Sequence, residues 1–365
     1  MTRSRPVQTF EYQPDSGVAP GETLVEWLAV HNMSQAEFAR RTGLSTKHIN
    51  QVANGAAGLS AEVALAFESV TEIPARYWSQ LEANHRAYEA RIAENEILAK
   101  HVDLLKRFPV PELIGRQRMR KADDAVGQLR ELLRFFGVAT VDALTSGWTA
   151  DAKLRASRAF PPNEAALSAW LRMAELDAQE ITVEPFDAKR CEEALQDFKS
   201  YTCMQGTSWI RPLKDRCASV GIALTIVKEL PRCRVNGATR WLNPSKAMVA
   251  LSLRHRRHDI LWFTFFHELG HLLRHSRRQT FVDAEGTQVA QDLERDADRF
   301  AGQTLISPEY QGQLEEVRSP DDAKVLADQL GVDVSIIVGR LQHEKLIPFS
   351  KWNDLIPRYR FHDDN

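Results

Sequence analysis

Trp262-Phe263-Thr264-Phe265-Phe266-His267-Glu268-Leu269-Gly270-His271-Leu272-Leu273 sets two histidines four residues apart inside a strongly apolar run. At helical spacing both imidazoles leave one face and can converge on a single ion. Burying His, Glu and His among aromatic side chains costs on the order of kcal/mol for each unpaired polar group, so the triplet needs a metal or a hydrogen-bond network. The run predicts a helix from about Asp259 to His275.

Catalytic zinc normally takes three protein ligands and keeps a fourth position open, which calls for a ligand beyond His267 and His271. Glu294 is the candidate. It opens Glu294-Arg295-Asp296-Ala297-Asp298-Arg299-Phe300-Ala301-Gly302, where Glu294, Ala297, Asp298 and Ala301 share a helix face and the small residues permit a close approach to the histidine helix. Asp296 and Asp298 are the competing ligands; with Glu294 on the metal, Asp298 one turn on would orient a ligand histidine through its outer nitrogen. Glu268 need not touch the ion. It can accept a proton as water attacks a carbonyl and pass it to the leaving amine.

Ahead of this helix the period changes after Gly221. Ile222–Val227 and Lys246–Leu253 read as strands and Gly237–Leu242 as a third, so a small sheet precedes the helix and this region is α+β. Asp321–Leu330, Gly331 and Val334–Gln342 form a helix-turn-helix-like pair beyond it.

From about Leu213 to Gln342 these motifs resemble the ImmA/IrrE family of metallopeptidase domains. The resemblance covers about a third of the chain and implies a zincin-like fold with a gluzincin-like site: His267, His271 and Glu294 on zinc and Glu268 as general base. It also implies cleavage or other inactivation of transcriptional repressors. Asp296 stands where that family often has a glutamate, a departure that leaves the ligand assignment intact. Arg254, His275 and Tyr310 are candidates for stabilising the oxyanion.

Near the other end, Ser34 to Gly55 has the spacing of two short helices joined by a tight turn. Ala39 lets the helices cross, Gly43 permits the turn, Leu44 and Ile49 fill the angle and Ser45 caps the second helix. Its outer side would present Thr46, Lys47, Asn50 and Gln51 to base edges, with Gln35 and Ser34 where the first helix meets phosphate. Arg40, Arg41 and Lys47 against Glu37 leave two net positive charges between Gln35 and Gly55. Over roughly residues 18 to 95 this region resembles the HigA-like antitoxin branch of Cro/repressor-type helix-turn-helix domains, which implies a lambda-repressor-like five-helix bundle, dimeric operator binding and often autoregulation beside a toxin gene. His31 and His48 read as surface residues.

A chain of 365 residues exceeds one ordinary core, and 43% hydrophobic with 26% charged residues is a globular composition. The expected layout is an irregular arm (1–20), a helix-turn-helix domain ending in a long connector helix from Ala75 to about Phe108 (21–108), a helical middle region (109–210), the zinc metallopeptidase-like domain (211–345) and a tail (346–365). Within the middle region, helices are expected over Asp123–Phe136, Asn163–Gln179 and Ala188–Gln205. A net charge of -2 gives no global attraction to nucleic acid, so DNA binding must come from a local surface. Without an apolar h-region or membrane span the protein is expected in the cytoplasm. The four cysteines, Cys191, Cys203, Cys217 and Cys233, form no C-x-x-C pair and are expected to be reduced. With the two resemblances, the expectation is a mainly α, DNA-binding regulator carrying a zinc endopeptidase, with homodimeric operator binding and another repressor as target being what those resemblances imply. Its competitor is a non-proteolytic antitoxin or repressor whose zinc domain senses or binds a partner such as a cognate toxin.

Overall fold

The computed structural model describes residues 17–148, 164–275, 281–284 and 291–360. Two compact units divide it, Met1–His101 and Val102–Asn365. The expected arm lies largely outside the described residues, as does the end of the expected tail.

The N-terminal unit is a bundle of five helices: α1 (Pro20–Val30), α2 (Gln35–Thr42), α3 (Thr46–Ala53), α4 (Ala61–Thr71) and α5 (Ala75–Ala99). Helices α2, α3 and α4 each start where a serine side chain satisfies an orphan backbone N–H: Ser34 accepts from Glu37, Ser45 from His48 and Ser60 from Val63. Gly43 ends α2 at φ 73°, the left-handed conformation that lets the chain turn into α3 within a few residues. Leu24, Phe38, Ile49, Phe67 and Trp78 close the core. Phe38, Phe67 and Trp78 stack edge to face at centroid distances of 5.1 and 5.3 Å.

The connector helix is shorter than its sequence pattern suggests. It stops at Ala99, and a 3-10 turn over Val102–Arg107 follows, because Leu104 and Phe108 are buried within the second unit, where Phe108 packs on Phe136 at 5.3 Å. Propensity would continue the helix; burial of those two side chains in the next unit takes them out of it.

In the second unit four strands form one sheet in the order β1 (Ile222–Ile226), β3 (Lys246–Leu251), β2 (Val235–Asn243) and β4 (Phe281–Ala284). β1 runs parallel to β3, and β2 pairs antiparallel with both β3 and β4. The fourth strand was not legible in the sequence. Every residue of β3 from Ala247 to Leu251 is buried, because helices cover both faces. Ala247, Val249 and Leu251 share a core with the histidine helix (His258–Arg274), and the helix Glu164–Glu180 packs on the same strands, its Trp170 Nε1 donating to Val227 O at 2.9 Å. The middle region is therefore part of this unit and supplies one layer of it. Its stretch Ala188–Gln205 is not one helix but two short ones, Ala188–Glu193 and Leu195–Ser200, with a 3-10 turn at Tyr201–Cys203, a break that buries Cys191, Phe198 and Thr202 together.

Within the expected tail, the described residues pack on this unit as well. Ile356 and Tyr359 are buried, and Tyr359 meets the buried His258 at the start of the histidine helix. All four cysteines are free. No helix among the described residues is long and apolar enough to cross a membrane.

Candidate functional site

The histidine helix is buried nearly throughout, packed against β2, β3, the acidic helix (Gln291–Leu305) and the helix Val334–His343. Its crossing with the acidic helix is set by two small residues: a Cβ on Gly270 would come within 3.1 Å of Ala297 Cα. That contact brings Glu294 and Asp298 over the histidines. Gly302, expected at the same crossing, instead makes room for Arg340, whose Nη1 a Cβ there would meet at 2.9 Å.

Glu294 Oε2 lies 3.1 Å from His267 Nε2 and Oε1 lies 3.5 Å from His271 Nε2. The two Nε2 atoms face each other at 3.0 Å, and the donors of all three side chains fall within 4.8 Å of one another. Asp298 Oδ1 takes the Nδ1–H of His267 at 2.9 Å, which leaves that ring's lone pair on the inward Nε2. Burial would raise the Glu294 carboxyl, but the facing imidazoles of His267 and His271 outweigh it and, with no metal bound, hold the group down at about 2. Desolvation lowers His271, against the pull of Glu294, so its ring is neutral at pH 7 and able to donate a lone pair. Two imidazole nitrogens and one ionised carboxylate oxygen, converging at these distances, are a donor set that fits zinc.

Glu268 is fully buried on the sheet side of the same helix. Thr239 on β2 donates its hydroxyl to Glu268 Oε2 at 2.6 Å. Two residues earlier on that strand, and on the same face, Gly237 leaves the space that Glu268 fills: a Cβ would sit 2.6 Å from its Oε1 and 2.7 Å from Thr264 Cγ2. Gly237→Ala should therefore destabilise the protein by about 1–3 kcal/mol through overpacking, read as a shifted urea midpoint. An unchanged midpoint would mean that Glu268 can move aside freely. Neither Gly237 nor Thr239 stood out in the sequence, although their i, i+2 spacing on a strand placed them on one face.

A cleft of about 390 Å³ opens beside the donors. Apolar side chains including Ile260, Phe263, Leu305 and Ile336 line it together with Arg340 and His343. Arg254 and Tyr310, expected near a reacting carbonyl, are not among its lining residues. His275 is engaged with His271, Nδ1 to Nδ1 at 2.9 Å. Asp296, the competing ligand, faces His275 rather than the donor cluster.

In the N-terminal unit Ser45, Thr46, Lys47 and Asn50 are exposed, and Gln35 and Gln51 half-buried. Asn50 Nδ2 donates to Gln35 Oε1 at 3.3 Å and Asn54 Nδ2 to Asn50 Oδ1 at 3.1 Å, so the two helices present one linked amide surface. Arg40 and Arg41 both hydrogen-bond Glu37, which offsets part of the local positive charge. His31 is exposed and stacks on Trp27 at 4.0 Å; His48 is half-buried.

Residues 244–342 match the IrrE N-terminal-like domain. This span contains the histidine helix, Glu294 and Asp298, while Gly237 and Thr239 precede it. Residues 31–78 match a helix-turn-helix family that spans α2 to α4, so the chain joins a helix-turn-helix domain to an IrrE N-terminal-like domain. Among solved structures, an addiction module antidote protein of a HigA family from Coxiella burnetii is 24% identical, with a TM-score of 0.22 over 23% of this chain and 92% of that one. The Pseudomonas aeruginosa antitoxin HigA with higBA promoter is 26% identical, with a TM-score of 0.22 over 22% of this chain and 89% of that one. Comparison with curated proteins gives no match.

Proposed function

We propose that this protein is a DNA-binding transcriptional regulator whose IrrE N-terminal-like domain is a zinc-dependent endopeptidase acting on a regulatory protein. The observation that carries the peptidase reading is Glu268. A site that only holds metal needs His267, His271 and Glu294, but it has no chemical use for a carboxylate buried beside them and held by Thr239. Bound zinc would polarise a substrate carbonyl and make water easier to deprotonate. The chain's own residues do the rest: Glu268 takes the proton from the attacking water and delivers it to the leaving amine, while Thr239 keeps the carboxylate from rotating. The cleft beside His267 gives an extended polypeptide a place to lie, and its apolar walls exclude water around the scissile bond. Comparing target cleavage by wild type and Glu268→Gln tests this reading.

The helix-turn-helix would bind an operator as a homodimer, with Ser45, Thr46, Lys47, Asn50 and Gln51 along the base edges and Gln35 bracing Asn50. A cytoplasmic location follows from that role. Fusion to a DNA-binding domain places the peptidase at promoters, where a second regulator is the substrate it would meet. Asn50→Ala should relax sequence preference by about 1–3 kcal/mol at one base pair, and Gln35→Ala should reproduce part of that loss by unbracing the amide. Competition binding of the full-length protein to its own promoter, with single base substitutions, provides the measurement. No preference for that or any promoter over random DNA at physiological salt would reduce the motif to a packing device.

A further inference from the structure

We propose that His275 and Asp296 form a positioning relay that holds the imidazole of His271 in the tautomer needed to bind the metal; the inference rests on the zinc site proposed above. The two ligand histidines are braced differently. His267 gives its Nδ1–H directly to a carboxylate, Asp298. At His271, one turn later, the Nδ1 meets a second imidazole, His275 Nδ1, at 2.9 Å. The far nitrogen of His275, Nε2, lies 3.5 Å from Asp296 Oδ2, and Asp296 Oδ1 lies 3.9 Å from Arg299.

The chain has one consistent polarity. The Asp296 carboxylate, an ion-pair contact 3.5 Å from His275 Nε2, favours the proton on that nitrogen electrostatically and leaves a lone pair on its Nδ1. That lone pair takes the Nδ1–H of His271. His271 Nε2 is then bare and directed at Glu294 and His267. Both ligand histidines thus reach the same tautomer, one directly and one through an intermediary. The backbone makes the intermediary possible: the helix ends at Arg274, and His275 turns into extended conformation, its side chain only 4% exposed.

The test is zinc affinity of the full-length protein, measured by competition with a chromophoric chelator, together with the visible spectrum of the cobalt-substituted form. His275→Ala should weaken zinc binding about 10- to 100-fold and alter the cobalt bands. His275→Asn, whose Oδ1 stands where Nδ1 stood and can accept from His271, should recover most of that loss. Asp296→Ala, at a half-exposed position that folding tolerates, should weaken binding several-fold. Affinity within twofold of wild type in both alanine variants overturns the relay, and so does an equal loss in His275→Ala and His275→Asn, which would mark simple packing. If His275→Ala fails to fold, Asp296→Ala decides. Absence of zinc binding by the wild type would instead remove the metal site itself.

Discussion

Glu268→Gln should lower cleavage of the target by about 100-fold or more while zinc content, fold and DNA binding stay at wild-type levels. The amide has nearly the shape of the carboxylate, so it can fill the space left by Gly237 and still accept the Thr239 hydroxyl through its oxygen. What it cannot do is take a proton from water. The three donor side chains are untouched, which is why metal content is the internal control. In cells, the abundance of neighbouring regulators during stress should differ between wild type and the Glu268→Gln strain. Identical levels and phenotypes, with zinc present in both proteins, would show that the domain acts by binding and would establish the non-proteolytic antitoxin reading.

His271→Ala should reduce bound zinc from about one ion per chain to near zero, since it removes one of three protein donors from the site. Elemental analysis of protein purified with zinc supplied gives the number. Glu294→Ala should also lose the metal; full retention there would transfer the third ligand to another acidic residue. The pH dependence follows from the same groups. Glu294 is held well below the ordinary carboxylate value, so it stays ionised through mildly acidic conditions, and release falls to the imidazoles. Burial pushes His271 below the ordinary imidazole value of about 6.5, so protonation of this ligand, and the zinc loss it causes, should begin only below that pH. Loss already at pH 7 would contradict the geometry.

Much of the functional layout was legible from local pattern. Two histidines at i, i+4, an acidic residue opening a later helix with small residues on its inner face, and a serine-capped pair of short helices around Gly43 are all written at helical spacing, which is a local property of the chain. The same holds for strands β1 to β3, where a short β-branched or alternating run marks the element. The sequence alone therefore determined which residues could meet a metal and which could face DNA.

Tertiary structure decided the rest. The short strand Phe281–Ala284 owes its assignment to pairing with β2, a partner some 40 residues away, and no local pattern announces that. The connector helix ends at Ala99 because Leu104 and Phe108 are buried in the second unit, a long-range contact that overrides local helix preference. His275 became a brace for His271 rather than a group at the reacting carbonyl because the helix ends beneath it and Asp296 waits on the neighbouring helix. Thr239 and Gly237 acquired their roles only when the sheet laid β2 against the histidine helix. Spacing along one element reports which side chains share a face; what that face meets depends on burial and on partners distant in the chain, and those exist only in the folded protein.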